Sequence, residues 1–223
     1  MLPLSRFYLD GDKIVKSGPK VRDTYHHGDL RQALLAAGER ELEENGIEGF
    51  SLRGVAKRAG VSHAAPLHHF KDTRVLLTAL AAQGFERFLA AQKARQLKAE
   101  TDGLSQLVAS GMGYIDFALG HPAVFRLMFS SDRPDHEAPN LVAAASAAYG
   151  QLISDVARAH GREHDAQNPA LVTEAMKAWA LVHGLADLMT SGRLKYLLGL
   201  KKTEKERTLA KLLRESLAAP QRR

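Results

Sequence analysis

The sequence predicts an all-α fold. Apolar residues recur at three- and four-residue spacing, Ala and Leu dominate while β-branched residues are sparse, and Ser, Asp and Gly punctuate the periodic stretches where helices are capped or stopped. Residues 1–23 mix Gly, Pro, Lys and Asp without periodicity and read as a flexible basic arm. A first helix is expected from about Gly28–Asp29, where the Asp29 carboxylate suits the positive end of the helix dipole. Leu30, Leu34, Ala37, Gly38 and Leu42 form its apolar face, and Asn45-Gly46 is a stop signal. Ile47 and Phe50 follow as core plugs. Ser51 is a natural cap for a short helix over 52–59 that closes at Gly60.

After Val61, with Ser62 as its cap, a second short helix is expected to run to about His69 or Phe70. Pro66 is tolerable in or just past its first turn, because few intrahelical bonds are lost there. Asp72 or Thr73 caps a long helix to about Gln96, with Leu76, Leu77, Leu80, Phe85, Phe88 and Leu89 for packing. A helix at about 104–119, a break at Gly120-His121-Pro122 and a short segment to about Phe129 come next. Residues 130–136 read as a loop. Further helices are expected at about 138–160, 170–191 and 203–218.

The chain has 223 residues and is 45% hydrophobic and 25% charged, which is ample for a packed core. No stretch approaches the roughly 18 to 20 apolar residues of a membrane span, and no secretory signal is evident, so a cytoplasmic protein with no membrane partner is expected. With no Cys, disulfides, thiolate zinc sites and Cys nucleophiles are excluded. The net charge of +6 makes a polyanionic partner worth testing. Its distribution is uneven: residues 28–50 carry −4, 51–75 carry +4, 97–200 carry −3 and the tail 201–223 carries +5. His63, His68 and His69 lie in the basic stretch.

That stretch holds the candidate chemistry. Two short helices flank a Gly-Val-Ser turn, and Val55, Ala56, Ala59 and Val61 form a seam of small residues on which they can cross closely. The expected result is a helix-turn-helix, whose second helix can enter a major groove roughly 12 Å wide. Small Ala64 and Ala65 let the backbone approach the bases. Arg53, Lys57, Lys71 and Arg74 are placed for phosphate contacts, and Ser62, His63, Leu67, His68, His69 and Thr73 complete the candidate DNA surface. An Ala-x-x-x-Gly spacing alone could belong to any compact three-helix unit. The local charge and the long following helix favour DNA.

These residues resemble the TetR/AcrR family of bacterial transcriptional regulators. The resemblance covers residues 25–80, through Phe50-Ser51-Leu52-Arg53, Ala56-x-x-Ala59-Gly60-Val61-Ser62, His69-Phe70 and Leu76-Leu77. Trp179, His183 and Gly184 resemble a subgroup with a Trp-x-x-x-His-Gly signature, as do Tyr25 to Arg31 and His121 to Phe129. The resemblance implies a homodimeric repressor, paired through its last two helices and released from its operator by a small molecule. It divides the chain into a DNA-binding domain over 24–74 (motif 51–70), a connecting helix over 75–96 and a ligand-binding and dimerisation domain over 97–223. There are two departures. Leu67 stands where the family usually has Tyr, and Thr73 where it usually has Lys. Arg74 and His68 are the candidate replacements, and affinity is what the changes put at stake.

Two-fold pairing would set half-sites of a palindromic operator roughly 34–36 Å apart. Residues 174–190 and 203–217 are the expected interface, with Leu209, Leu212, Leu213 and Leu217 as an apolar stripe that can also pack on its own subunit. Tyr114, Phe117, Phe125, Met128, Tyr149, Trp179 and His183 are the candidate lining of an apolar effector pocket, against the alternative of a packed core. No cofactor is expected. His160 and His164 have the i, i+4 spacing of metal ligands, but surface coincidence is the better reading and no metal is expected. His183 with Asp187 is the candidate pair for a rival enzymatic reading, which lacks a phosphate loop or nucleophile motif. A third reading is a DNA-binding regulator without an effector.

Overall fold

The structure, a computed structural model, describes residues 27–218, so the expected arm over 1–23 lies outside the described residues. No strand occurs among the described residues. Helix α1 (His27–Gly49) bends at Gly46, whose φ of 67° breaks the helical path, so the expected stop becomes a kink followed by one more turn. Helix α2 (Leu52–Ala59) starts where the Ser51 hydroxyl accepts the Gly54 N–H at 3.1 Å. It ends at Gly60, left-handed at φ 69°, a conformation glycine adopts without steric cost.

The expected second short helix is replaced by a single 3-10 turn, Ala65–His68. Proline has no N–H to continue an α-ladder, and its ring disfavours α geometry in the residue before it. The backbone closes with three-residue bonds instead: Ala65 N–H to Ser62 O at 3.0 Å, Leu67 N–H to Ala64 O at 3.1 Å and His69 N–H to Pro66 O at 3.0 Å. Ala64 precedes the turn, and no side chain caps it, so the expected cap at Ser62 is not used.

Asp72 caps the long helix α3 (Thr73–Gln96), its carboxylate accepting the Val75 N–H at 2.9 Å. Helix α4 (Gly103–Gly120) is buried along most of its length and packs against α3, α6, α7 and α9. Helices α5 (Pro122–Phe129), α6 (Pro139–Ala159) and α7 (Pro169–Thr190) each open on proline, which is suited to a position with no N–H partner. A short α8 (Lys195–Gly199), not expected from the sequence, precedes α9 (Lys202–Leu217).

One apolar core runs from Phe50 and Phe70 beneath α2 to Leu213 on α9. Helix α5 packs on α1, α3 and α4, and so joins the two ends of the molecule. Leu213 of α9 is fully buried and Leu209 and Leu217 nearly so, on a helix that packs against α4 of its own chain. The stripe expected to pair subunits is thus spent within one, and only Leu212 stays half-exposed. No helix among the described residues is long and apolar enough to cross a membrane.

Candidate nucleic-acid interface and interior cavity

The tight turn after Gly60 stands on a buried foot. Pro66 and Phe70 are buried, whereas Ser62, His63, Ala64, Leu67 and His68 are exposed. Leu67 is 55% exposed, a large apolar side chain with no cover. Ala65, His69 and Thr73 are half-buried at the edges of this face. The Arg31 guanidinium lies 5.4 Å from the centre of the Phe70 ring.

The basic residues divide into two kinds. Arg58 turns inward, donating from Nε to the buried Glu41 at 2.5 Å and through both terminal nitrogens to Glu44 at 2.7 and 2.8 Å. It ties α2 to α1, and these carboxylates raise its pKa further. Arg53, Lys57 and Lys71 are exposed and join no ion pair among the described residues. Arg74 is different: its guanidinium lies 3.7 Å from Asp135, in the loop between α5 and α6. That loop is anchored by the Asp135 N–H, which donates to the Thr78 hydroxyl at 2.8 Å, and by Arg133, which bonds Glu48 at 2.6 Å. Sequence spacing gives no sign of this clasp, because its halves lie more than fifty residues apart.

The second feature is a cavity of about 640 Å³ among α3, α4, α5, α6 and α7, with Leu217 of α9 at its edge. Tyr114, Tyr149 and Trp179 line it as expected, and Phe85, Phe88 and Phe129 complete an aromatic wall. Ala145, Ala148, Gly150 and Ala178 keep the opposite side open. The other expected lining residues do not reach it. Phe117, Phe125 and Met128 are core: Phe117 packs edge-on to Phe88 at 5.6 Å between centroids, and Phe125 lies 5.8 Å from Tyr114. Helical period identifies an apolar position without saying whether a neighbour fills the space before it.

His183 stands behind the wall rather than in it. Its Nδ1 meets the Tyr114 hydroxyl at 2.7 Å, and its ring is 5.4 Å from Phe125. Burial lowers the pKa of His183, with Asp187 opposing weakly, and raises that of Tyr114. Burial thus favours the neutral forms of both rings, which share this one hydrogen bond. His183 is thus held by a phenol, not by the Asp187 carboxylate that the enzymatic reading would need.

Asp155 is completely buried, accepting from Gln96 at 3.0 Å and Gln151 at 2.9 Å, two glutamines that line a second recess. Burial pushes its carboxyl above the usual range. Glu39, Glu43 and His121 bring potential metal-ligand atoms within 4.8 Å of one another. Arg87 already occupies that corner, donating to Glu39 at 2.5 Å beside His121, so the group reads as an ion-pair clasp of α1, α3 and α5. His160 ends α6 and His164 lies beyond it, so the two share no helix face.

Residues 34–80 match the family model of the tetR family of bacterial regulatory proteins, and residues 107–215 match that of the tetracyclin repressor-like C-terminal domain. No curated protein matches the chain. A protein of unknown function from Rhodococcus sp. RHA1 is similar at 36% identity and a TM-score of 0.71, over 89% of this chain and 100% of that one. A TetR family transcription regulator from Marinobacter aquaeolei VT8 shares the fold at 18% identity and a TM-score of 0.62, over 84% of this chain and 94% of that one. The TetR family transcriptional regulator PfmR from Thermus thermophilus does so at 15% identity and a TM-score of 0.60, over 86% and 98%. With a basic helix-turn-helix in its first matched segment and a helical body in its second, the chain belongs to the tetR family of bacterial regulatory proteins and is a DNA-binding transcriptional regulator.

Proposed function

We propose that the protein is a homodimeric repressor in the cytoplasm, released from a palindromic operator when a small, mainly apolar effector enters the cavity. Residues 24–74 act as the DNA-binding domain, 75–96 as the connecting helix and 97–223 as the ligand-binding and dimerisation domain. One observation carries this reading: α3 begins immediately after the exposed turn and, farther along, presents Phe85, Phe88 and Gln92 to the cavity. A ligand that displaces those side chains acts on the helix that carries the DNA-reading turn.

In this reading Arg53, Lys57 and Lys71 neutralise phosphates, while His63, Ala64, Leu67 and His68 face base edges. Ser62, Ala65, His69 and Thr73 border the contact. Arg74 joins only when Asp135 lets it go. The second subunit meets the exposed apolar residues of α7 and α8, Met176, Leu188 and Tyr196, because the α9 stripe is already covered. Trp179, His183 and Gly184 are the residues on which membership of the Trp-x-x-x-His-Gly subgroup rests. The reading calls for no cofactor and no metal. A cavity of about 640 Å³ favours an effector over a regulator whose interior is filled by side chains.

The test is selection of bound fragments from the source genome, followed by footprinting and by sizing of the protein–DNA complex. A symmetric footprint occupied by two chains, with affinity falling steeply as salt rises, is expected. An asymmetric site held by one chain would overturn the dimeric reading. Binding that ignored salt would overturn the docking.

A further inference from the structure

We propose that the cavity takes an uncharged aromatic molecule bearing an amide-like pair of hydrogen-bonding atoms, anchored by the side-chain amide of Gln92. The proposal rests on the reading that this cavity is the effector site, and it adds the ligand's charge and polar pattern.

Three observations carry it. The first is the state of Gln92. It is only 8% exposed, lines the cavity and makes no side-chain hydrogen bond to any described residue. Its neighbour one turn along is treated differently: Gln96 is committed to Asp155. No fully enclosed side-chain polar atom among the described residues lacks a partner, so the Gln92 amide is open to the cavity rather than sealed in the core. A glutamine amide offers one acceptor and two donors to whatever enters the cavity. The backbone that carries it is fixed, because α4 crosses α3 so closely at Gly113 that a Cβ there would lie 2.5 Å from the Cα of Gln92. The amide is therefore both positioned and uncommitted.

The second is charge. No lining residue among those described is Asp, Glu, Lys, Arg or His. A ligand carboxylate or phosphate would enter an apolar space with no cation to meet it, which strongly disfavours the ionised form. The buried carboxyl of Asp155, beside Ser110, offers no positive charge in either protonation state. A ligand cation fares little better, since Asp155 lies outside the lining and is already occupied by two glutamines.

The third is the wall. Phe85, Phe88, Phe129 and Tyr114 interlock edge-to-face or stacked, with centroids 4.7 to 6.4 Å apart. Tyr149 and Trp179, from α6 and α7, also line the cavity, each about 40% exposed. A lining this rich in aromatic rings favours an aromatic ligand. Tyr114 is already tied to His183 and lies within hydrogen-bonding reach of Trp179, which leaves the Gln92 amide to meet the polar atoms of the ligand.

Trp179 is the sole tryptophan of the chain, so its fluorescence reports the cavity directly. The full chain is titrated near neutral pH with four probes on one skeleton: biphenyl-4-carboxamide, biphenyl, biphenyl-4-carboxylate and biphenyl-4-ylmethylammonium. Emission and calorimetry are followed together. The carboxamide is expected to bind about tenfold more tightly than biphenyl, from hydrogen bonds to an otherwise unmet amide. The carboxylate is expected to bind about a hundredfold more weakly than the carboxamide, for want of a counter-charge. Gln92→Leu should erase the advantage of the carboxamide over biphenyl, both measured on that variant.

The proposal is overturned if either charged probe matches the carboxamide, if Gln92→Leu preserves the carboxamide's advantage, or if none of the four saturates. The four-probe ranking on the unmutated chain remains decisive should Gln92→Leu fold poorly. Operator binding is measured in parallel. If the ranking holds but bound carboxamide leaves operator affinity unchanged, the ligand class stands and release by ligand falls. If no probe saturates while the operator is still bound, the ligand class falls and the DNA-binding reading stands.

Discussion

Two glycines mark the difference between the two ends of the molecule. At Gly60 a Cβ would meet nothing within 4 Å, and the residue is there for its left-handed φ of 69°. At Gly113 a Cβ would press on the backbone of another helix, 2.5 Å from the Cα of Gln92. The DNA-reading end depends on the conformation of a short stretch of chain, while the cavity end depends on how closely distant stretches approach. The same division appears in the polar groups. Arg53 and Lys57 are left exposed on the surface, whereas Gln92 faces an interior cavity and Asp155 is fully enclosed.

The contrast can be broken most directly at Gly113. Gly113→Val should destabilise the fold by about 3 kcal/mol, because neither backbone can retreat, and a denaturant or thermal melt measures it. An unchanged melt would mean that α3 and α4 do not cross as described. At the other end, Arg53→Ala and Lys57→Ala should leave the melt intact and weaken operator binding by about 1 kcal/mol each, on every sequence. Each should also lower the slope of log affinity against log salt by about one, readable by fluorescence anisotropy at several salt concentrations. His63→Ala should instead change which sequence is preferred. Gly60→Ala should cost about 1 kcal/mol, since the turn demands a left-handed residue without crowding it. A loss as large as that at Gly113 would erase the contrast between the two glycines.

The smallest effect is one of pH, at His183. Its folded pKa is lowered, so the folded state favours the neutral ring. That stabilisation is present above the ordinary histidine range and is lost as pH falls through the lowered folded value. The groups facing the ring are Tyr114, which bonds it, and Asp187, one turn along on α7. Thermal melts across acidic pH should therefore fall more steeply for the parent chain than for His183→Gln. Parallel curves would show that the Tyr114–His183 bond is indifferent to protonation.

Much of the reading end is legible in the sequence because its information is contiguous. Ser51, Gly60 and Asp72 are caps or turns whose chemistry acts over three or four residues, and each performs the expected role. Pro66 marks the limit of such reasoning. A first-turn position is tolerable in principle, but with no side chain capping the turn and a proline ring to accommodate, the backbone takes a 3-10 path. Arg58 shows another limit: as a cation in a basic stretch it looks like its neighbours, yet it is spent on Glu41 and Glu44 of the preceding helix.

The cavity is legible only in part. Tyr114, Tyr149 and Trp179 stand out because aromatic residues with a polar atom need partners when buried. Phe85, Phe88 and Gln92 escape notice as lining, since they lie on a helix that reads as a connector. Phe117, Phe125 and Met128 mislead, since their helix faces are apolar for the sake of the core. The apolar stripe of α9 suits either its own subunit or a partner, and burial of Leu209, Leu213 and Leu217 assigns it to its own.

By itself the sequence determined the helical class, the caps and breaks, the basic turn and the absence of thiol chemistry, all of which follow from residue type and spacing within a few positions. Tertiary structure alone decided which aromatic rings border empty space, that Asp135 reaches Arg74, and that Gln92 is left without a partner among the described residues. The physical reason is that burial and hydrogen-bond satisfaction are properties of assembled surfaces. They arise from α3 meeting α4, α6 and α7, and no window along one helix contains them.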